Sequence, residues 1–211
     1  MHAVATHRRN PDLTRQTLLQ SAFDEIYMHG FQGASLDRIL RDTGVTKGAL
    51  YHHFKNKSEL GYAVVDEVIK PMVVTAWVQA LAETDDPLDA ILRILRSHCR
   101  EDREQAAICG CPLNNLALEM SPIDEGFRTR IHKLFESWRR GIASALRQGQ
   151  AHGKVRDDID PDQVATFILA SIEGTIGLGK NAQSADVFEA SFAGLHLFLD
   201  SLRPATTAAS A

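Results

Sequence analysis

The stretch SLDRILRDTGVTKGALYHHFKNK, from Ser35 to Lys57, decides how the rest of the chain is read. Ser35 is a good N-cap for a helix reaching about Thr43, and Gly44 suits a left-handed stop. After a short connection, Gly44 to Thr46, Thr46 caps a second helix from Lys47 to about Phe54. Leu36, Ile39 and Leu40 share one inward face at helical spacing, and Leu50 and Phe54 do the same in the second helix. That arrangement turns Lys47, Gly48, Ala49, Tyr51, His52 and His53 outward. The small residues Gly48 and Ala49 let the helix N-terminus approach another surface closely. Asn56 opens the next helix, with Glu59 three residues on as a capping box.

Two short helices joined in this way form a helix-turn-helix, whose second helix enters the major groove of DNA with its N-terminal residues leading. Lys47 can reach a base edge or a phosphate, and Lys57 a phosphate. Tyr51, His52 and His53 join apolar bodies to polar tips, which suit thymine methyls and phosphate oxygens. Ser35 and Thr46 cap helix N-termini that can also face phosphate.

The run from Gly44 to Lys57, GVTKGALYHHFKNK, closely resembles the signature of the TetR family of transcriptional regulators. The resemblance extends over roughly Pro11 to Leu60. It implies that Tyr51, His53 and Lys57 grip the DNA backbone, while Lys47, Ala49 and His52 stand where the family varies with operator sequence. It further implies a homodimer on a palindromic double-stranded operator, with the last two helices, about Asp160–Lys180 and Asp186–Leu202, forming a four-helix interface.

A chain of 211 residues, 44% hydrophobic, can bury a sizeable core. Its net charge of −4 is unevenly spread. Residues 1–57 hold eight Lys/Arg against five Asp/Glu, and the remainder 15 against 22. A basic head on an acidic body fits a DNA reader attached to a domain with another task. Three cysteines and the lack of an apolar leader predict reduced thiols in a cytoplasmic protein. No apolar run is long enough for a membrane span.

Along the chain, Met1–Asn10 reads as a polar tail or a DNA-reaching arm carrying Arg8 and Arg9. A helix from Pro11 or Asp12 to Gly30 braces the helix-turn-helix. A long helix from Ser58 to about Glu83 links head to body, with a kink or break expected at Pro71. Asp86-Pro87 starts the next helix, ending near Arg103. A short helix covers about Leu113 to Met120, and a longer one opens at Ser121-Pro122 and stops at Gly153. Asp160-Pro161 opens another. No segment alternates with a period of two. The expected fold is all-α, about nine helices, with a DNA-binding domain at 1–57, an effector-binding and dimerisation domain at 58–203, and a disordered tail at 204–211.

Within the body, Trp77, His98, Cys111, Asn115, Trp138 and Glu173 are the candidate ligand-binding residues, the two tryptophans reading first as core. Cys109 and Cys111 are too close together for a usual structural zinc pair, and no cofactor or metal is expected even with Cys99, His98 and His132 in the chain. Cys111 reads either as inert packing or as a reactive thiol at a helix start, where the dipole lowers a thiol pKa. Residues Ile108 to Leu113 are similar to the sensing region of electrophile-responsive TetR regulators. That resemblance implies a functional partnership between the cysteine and Lys180 near the end of the eighth helix. No Ser-His-Asp order, metal pair or phosphate loop suggests an enzyme. The sequence thus predicts a regulator, most often a repressor, released from its operator by a small-molecule effector. The alternatives are a thiol-based electrophile sensor acting through Cys111 and a constitutive DNA binder.

Overall fold

The computed structural model describes residues 11–101 and 108–205, with nine helices and no strand among them. The head comprises α1 (Pro11–Gly33), α2 (Leu36–Thr43) and α3 (Lys47–His53). A linking helix α4 runs through Lys57–Val64, Val65–Ile69, Lys70–Val73, Val74–Gln79 and Ala80–Ala82. The body contains α5 (Pro87–Glu101), α6 (Pro112–Met120), α7 (Glu125–Ala151), α8 (Pro161–Ala182) and α9 (Ala185–Ser201). The arm at Met1–Asn10 and the tail beyond residue 205 lie outside the described residues.

The caps fall where side-chain chemistry puts them. Ser35, Thr46 and Asn56 accept from the amides of Arg38, Ala49 and Glu59, and Gly44 takes φ 62°. The helix-turn-helix is locked from below by Leu18, Ile39, Leu50 and Phe54, all essentially sealed from solvent.

The regular first helix ends at Gly30 as expected, with φ 74° and ψ 164°, and one more helical turn then carries the chain to Gly33. Of the kink or break expected at Pro71, the chain shows no break, and the disturbance takes the form of widened turns. Helical dihedrals hold at Ile69, Lys70 and Val74, and π-type turns at Val65–Ile69 and Val74–Gln79 flank the proline. Widened turns relieve the clash between a proline ring and the carbonyl one turn back. Helix α7 starts at Glu125 rather than beside Pro122, because Asp124 is the stronger cap. Its carboxylate accepts from the Phe127 amide at 3.0 Å and from the Tyr62 hydroxyl at 2.8 Å.

Head and body meet on aromatic rings. Phe127 of α7 lies edge-on to Phe31 at 4.6 Å and to Tyr62 at 4.9 Å. Gly61 makes this approach possible: a Cβ there would lie 2.5 Å from Phe31 and 2.6 Å from Phe127. Gly61→Ala is therefore expected to destabilise the fold by about 1–3 kcal/mol through overpacking. Urea denaturation checks this, and an unchanged midpoint would show that the rings move aside freely.

Deeper in the body, α7 buries Ile131, Leu134, Ile142 and Leu146 towards Ile168 and Ile172 of α8. On the outer side, Phe167 and Leu178 of α8 and Leu197 of α9 remain exposed. Gly174, Gly177 and Gly194 have nothing within 4 Å of where a Cβ would stand.

Candidate functional site

The recognition helix presents a short polar ridge. Leu50 and Phe54 are buried and fix its rotation, and this exposes Thr46, Lys47, Gly48 and His52. Tyr51 is also exposed, while Ser35, Ala49 and His53 are half-buried beside them. The His52 and His53 rings stand edge to face at 5.4 Å. Beneath this ridge lies a carboxylate the sequence reading passed over. Glu25 of α1 is buried, accepts from the Ser35 amide at 2.8 Å and from Arg38 Nε at 2.7 Å. Burial pushes its pKa up, but the Arg38 hydrogen bond, the Ser35 amide and the charges of Arg38 and His29 together hold it below the ordinary value. The N-terminus of α2 is thereby pinned to α1.

Lys57 is placed differently from a free phosphate-seeking cation. It is half-buried, donates to the Gln32 carbonyl at 3.1 Å and lies over the Phe31 ring. Burial lowers its pKa, against the opposing pull of Glu119 and Glu25.

Helix α6 holds the head from the body side at both of its ends. Near its C-terminus, the Glu119 carboxylate accepts from the amides of Phe31 and Gln32, each at 2.8 Å. These donors are left over by the turn at Gly30, and the carboxylate caps them from outside the helix. Before its N-terminus, the Gly110 carbonyl accepts from the Tyr27 hydroxyl at 2.5 Å. Neither Tyr27 nor Glu119 carries a motif. The only hint in sequence is Gly30, which marks a turn whose amides need partners.

The loop before α6 brings several predicted residues together. Asn115 donates to the Cys109 carbonyl at 2.6 Å and accepts from Lys180 Nζ at 3.0 Å. The Cys109 sulfur lies 3.2 Å from Met28 Sδ of α1. Cys111 stands at the N-cap position of α6 without a side-chain capping hydrogen bond, and its thiol pKa is raised well above the ordinary value, not lowered. Burial is the main cause, followed by the charge of Glu173. The helix-start amides of Asn114 and Leu113 do favour the thiolate, as the dipole argument holds, but they are outweighed. The Lys180 ammonium is hydrogen-bonded to Asn115 instead.

Glu173 itself is buried in α8, and among the described residues neither carboxyl oxygen has a hydrogen-bond partner. Burial raises its pKa to about 7, and the Cys111 thiol comes close enough to oppose this slightly without forming a properly oriented hydrogen bond. Trp77 and Trp138 are core residues whose rings meet at 4.9 Å, although the Trp138 indole N–H has no acceptor among the described residues. The side chains of His98 and Cys99 lie outside those described. Among the described residues, no three His, Cys, Asp or Glu side chains gather where they could hold a metal.

No helix among these residues is long and apolar enough to cross a membrane. Residues 18–64 match the profile described as bacterial regulatory proteins, tetR family, and residues 87–194 match the tetracyclin repressor-like C-terminal domain. The transcriptional repressor DhaR of Mycobacterium sp. (strain GP1) is 27% identical over 91% of this chain and 93% of its own. The transcriptional regulator AcuR of Cereibacter sphaeroides (strain ATCC 17023) is 30% identical over 80% of this chain and 78% of its own. A crystal structure of a TetR regulatory protein from Rhodobacter sphaeroides superposes with a TM-score of 0.79 at 26% identity, covering 88% of this chain and 98% of that one. With a two-part profile match that spans head and body, an exposed recognition helix and an all-α body, this chain belongs to the TetR family of DNA-binding transcriptional regulators.

Proposed function

We propose that the chain is an operator-binding repressor that acts as a homodimer and leaves DNA when a small molecule binds its body. In this reading residues 1–57 read DNA and residues 58–203 bind the effector and the second subunit. The observation that carries it is the double hold of α6 on α1, through Glu119 and Tyr27. A change in the body that moves α6 has no slack to absorb it before the head moves. The uncovered apolar face of α8 and α9, with its open glycines, supports the dimer. An effector shifts the balance of head spacings only by binding one state more tightly than the other. The high thiol pKa of Cys111 favours a non-covalent effector over an electrophile.

Footprinting on the promoter next to the gene is the direct test. A two-fold symmetric footprint, with half-sites about one helical turn apart or somewhat more, is expected. A single asymmetric half-site bound by one chain would sink the dimer reading. Lys47→Ala is expected to weaken binding and also change sequence preference, because Lys47 is exposed at the head of α3. Lys57→Ala is expected to weaken all sequences alike with little change in the salt slope, because its ammonium is engaged with the Gln32 carbonyl and the Phe31 ring rather than free for a phosphate. Binding isotherms on operator variants at several salt concentrations check both, and identical losses on every sequence would remove the base-reading role of Lys47.

A further inference from the structure

We propose that the cleft between α1 of the head and α6 of the body is a binding site for a small organic carboxylate with a hydrocarbon body, its charge received by Lys180. The cleft has a volume of about 500 Å³, within the usual range for small-molecule sites. Its walls come from both parts of the molecule: Phe23 and Ile26 of α1, Ile69 of α4, and Leu116 of α6. All four are buried hydrophobics, and the exposed Met28 and Leu118 stand on the same lining, one on each side. That surface suits a short alkyl chain or a small ring.

The polar end is set by Lys180. Its stem crosses Gly110, where a Cβ would lie 2.9 Å from Lys180 Cδ. Its ammonium has one hydrogen bond, to the neutral Asn115 amide, and no ion pair among the described residues. An ammonium carries three donors, so two remain for a ligand. Asn115 has both ends engaged, and both oxygens of Glu119 are held by the Phe31 and Gln32 amides. Among the described residues, the cleft therefore offers one ammonium with two N–H groups not engaged by the protein, which matches the two oxygens of a monoanionic carboxylate. A dianion fits worse, because Glu119 lies one helical turn from Asn115 on the same face of α6.

The same neighbourhood gives binding a consequence, which rests on the effector-responsive reading above. An anion at Lys180 repels Glu119, and a hydrocarbon body wedges α6 from α1. Both act against the contacts that hold the head.

The test uses the full-length chain and calorimetric titration with acetate, butyrate, hexanoate, octanoate and benzoate, each beside its uncharged amide. At least one carboxylate is expected to bind saturably and about tenfold or more tighter than its amide. Lys180→Met should cost that carboxylate about tenfold or more, and Lys180→Arg should retain most of the affinity. Circular dichroism and urea midpoints of both variants separate lost charge from lost fold. The proposal is overturned if no carboxylate outbinds its amide, or if folded Lys180→Met binds as tightly as wild type. Promoter binding separates the two readings. A carboxylate that binds through Lys180 without moving DNA affinity leaves the site standing and removes the effector role. DNA release by some other compound, undiminished in Lys180→Met, with no carboxylate bound, removes the site and leaves the effector-responsive regulator intact.

Discussion

Replacing Glu119 with alanine is expected to loosen the head without disturbing the recognition helix. The carboxylate accepts two backbone hydrogen bonds at 2.8 Å, from Phe31 and Gln32. Hydrogen bonds to a charged group contribute about 1.5–3 kcal/mol each, so losing both costs about 3 kcal/mol or more. The two donors fare differently. Gln32 is exposed and can turn to water, whereas Phe31 is buried under the Phe127 ring. The buried amide then carries most of the penalty. Amide exchange reads this locally. The Phe31 N–H should exchange about a hundredfold faster in Glu119→Ala, since about 1.4 kcal/mol is a factor of ten. Glu119→Gln keeps an acceptor but not the charge and should fall between. If the Phe31 amide is equally protected in Glu119→Ala and wild type, the clasp is not what holds the turn at Gly30. The same variant bears on regulation. With the α6 hold cut at one end, the response of promoter binding to an effector should shrink while sequence preference stays as in wild type.

The head was legible because its chemistry is local. Ser35, Thr46, Asn56 and Gly44 act within three or four residues of themselves, and the apolar spacing of Leu36, Ile39, Leu50 and Phe54 fixes which face turns outward. The fold class followed from helical spacing and from the caps at Asp124 and Asp160. What sequence reading missed depends on partners far along the chain. Glu119 meets Phe31 across 88 residues, and Tyr27 meets Gly110 across 83. Neither pair has a spacing that could be read. At Pro71 a disturbed helix was legible but its form was not: a proline forbids the regular helix, a π-type turn removes the clash, and only the packed helix selects it. For Cys111 the helix-start amides are legible in sequence, whereas the burial that outweighs them and the charge of Glu173, which arrives from α8, are not. In sequence Glu173 is a carboxylate among the apolar residues of α8, but its isolation depends on what packs around it.

That isolation predicts the pH dependence of stability. An unfolded Glu titrates near 4.5, and Glu173 in the folded chain near about 7. Between these values the folded state binds the extra proton, so stability falls as pH rises through this window and the full penalty is present above it. A shift from 4.5 to about 7 corresponds to about 3 kcal/mol. Glu173→Gln keeps the shape and removes the charge. It is expected to match wild type near pH 4, below the unfolded value, and to be more stable by up to about 3 kcal/mol near pH 8. Urea denaturation of both proteins across that range gives the comparison, and parallel pH profiles would show that the carboxyl is hydrated or paired in solution. The thiol offers an independent reading of the same charge. Burial is the larger cause of the high Cys111 pKa, and the negative charge of Glu173 adds to it. With Gln in place of Glu173 the second contribution disappears and the first remains. Cys111 should then alkylate with iodoacetamide at lower pH than in wild type, still above the range of an exposed cysteine. An onset unchanged by the substitution would mean that the thiol and the carboxylate do not face one another.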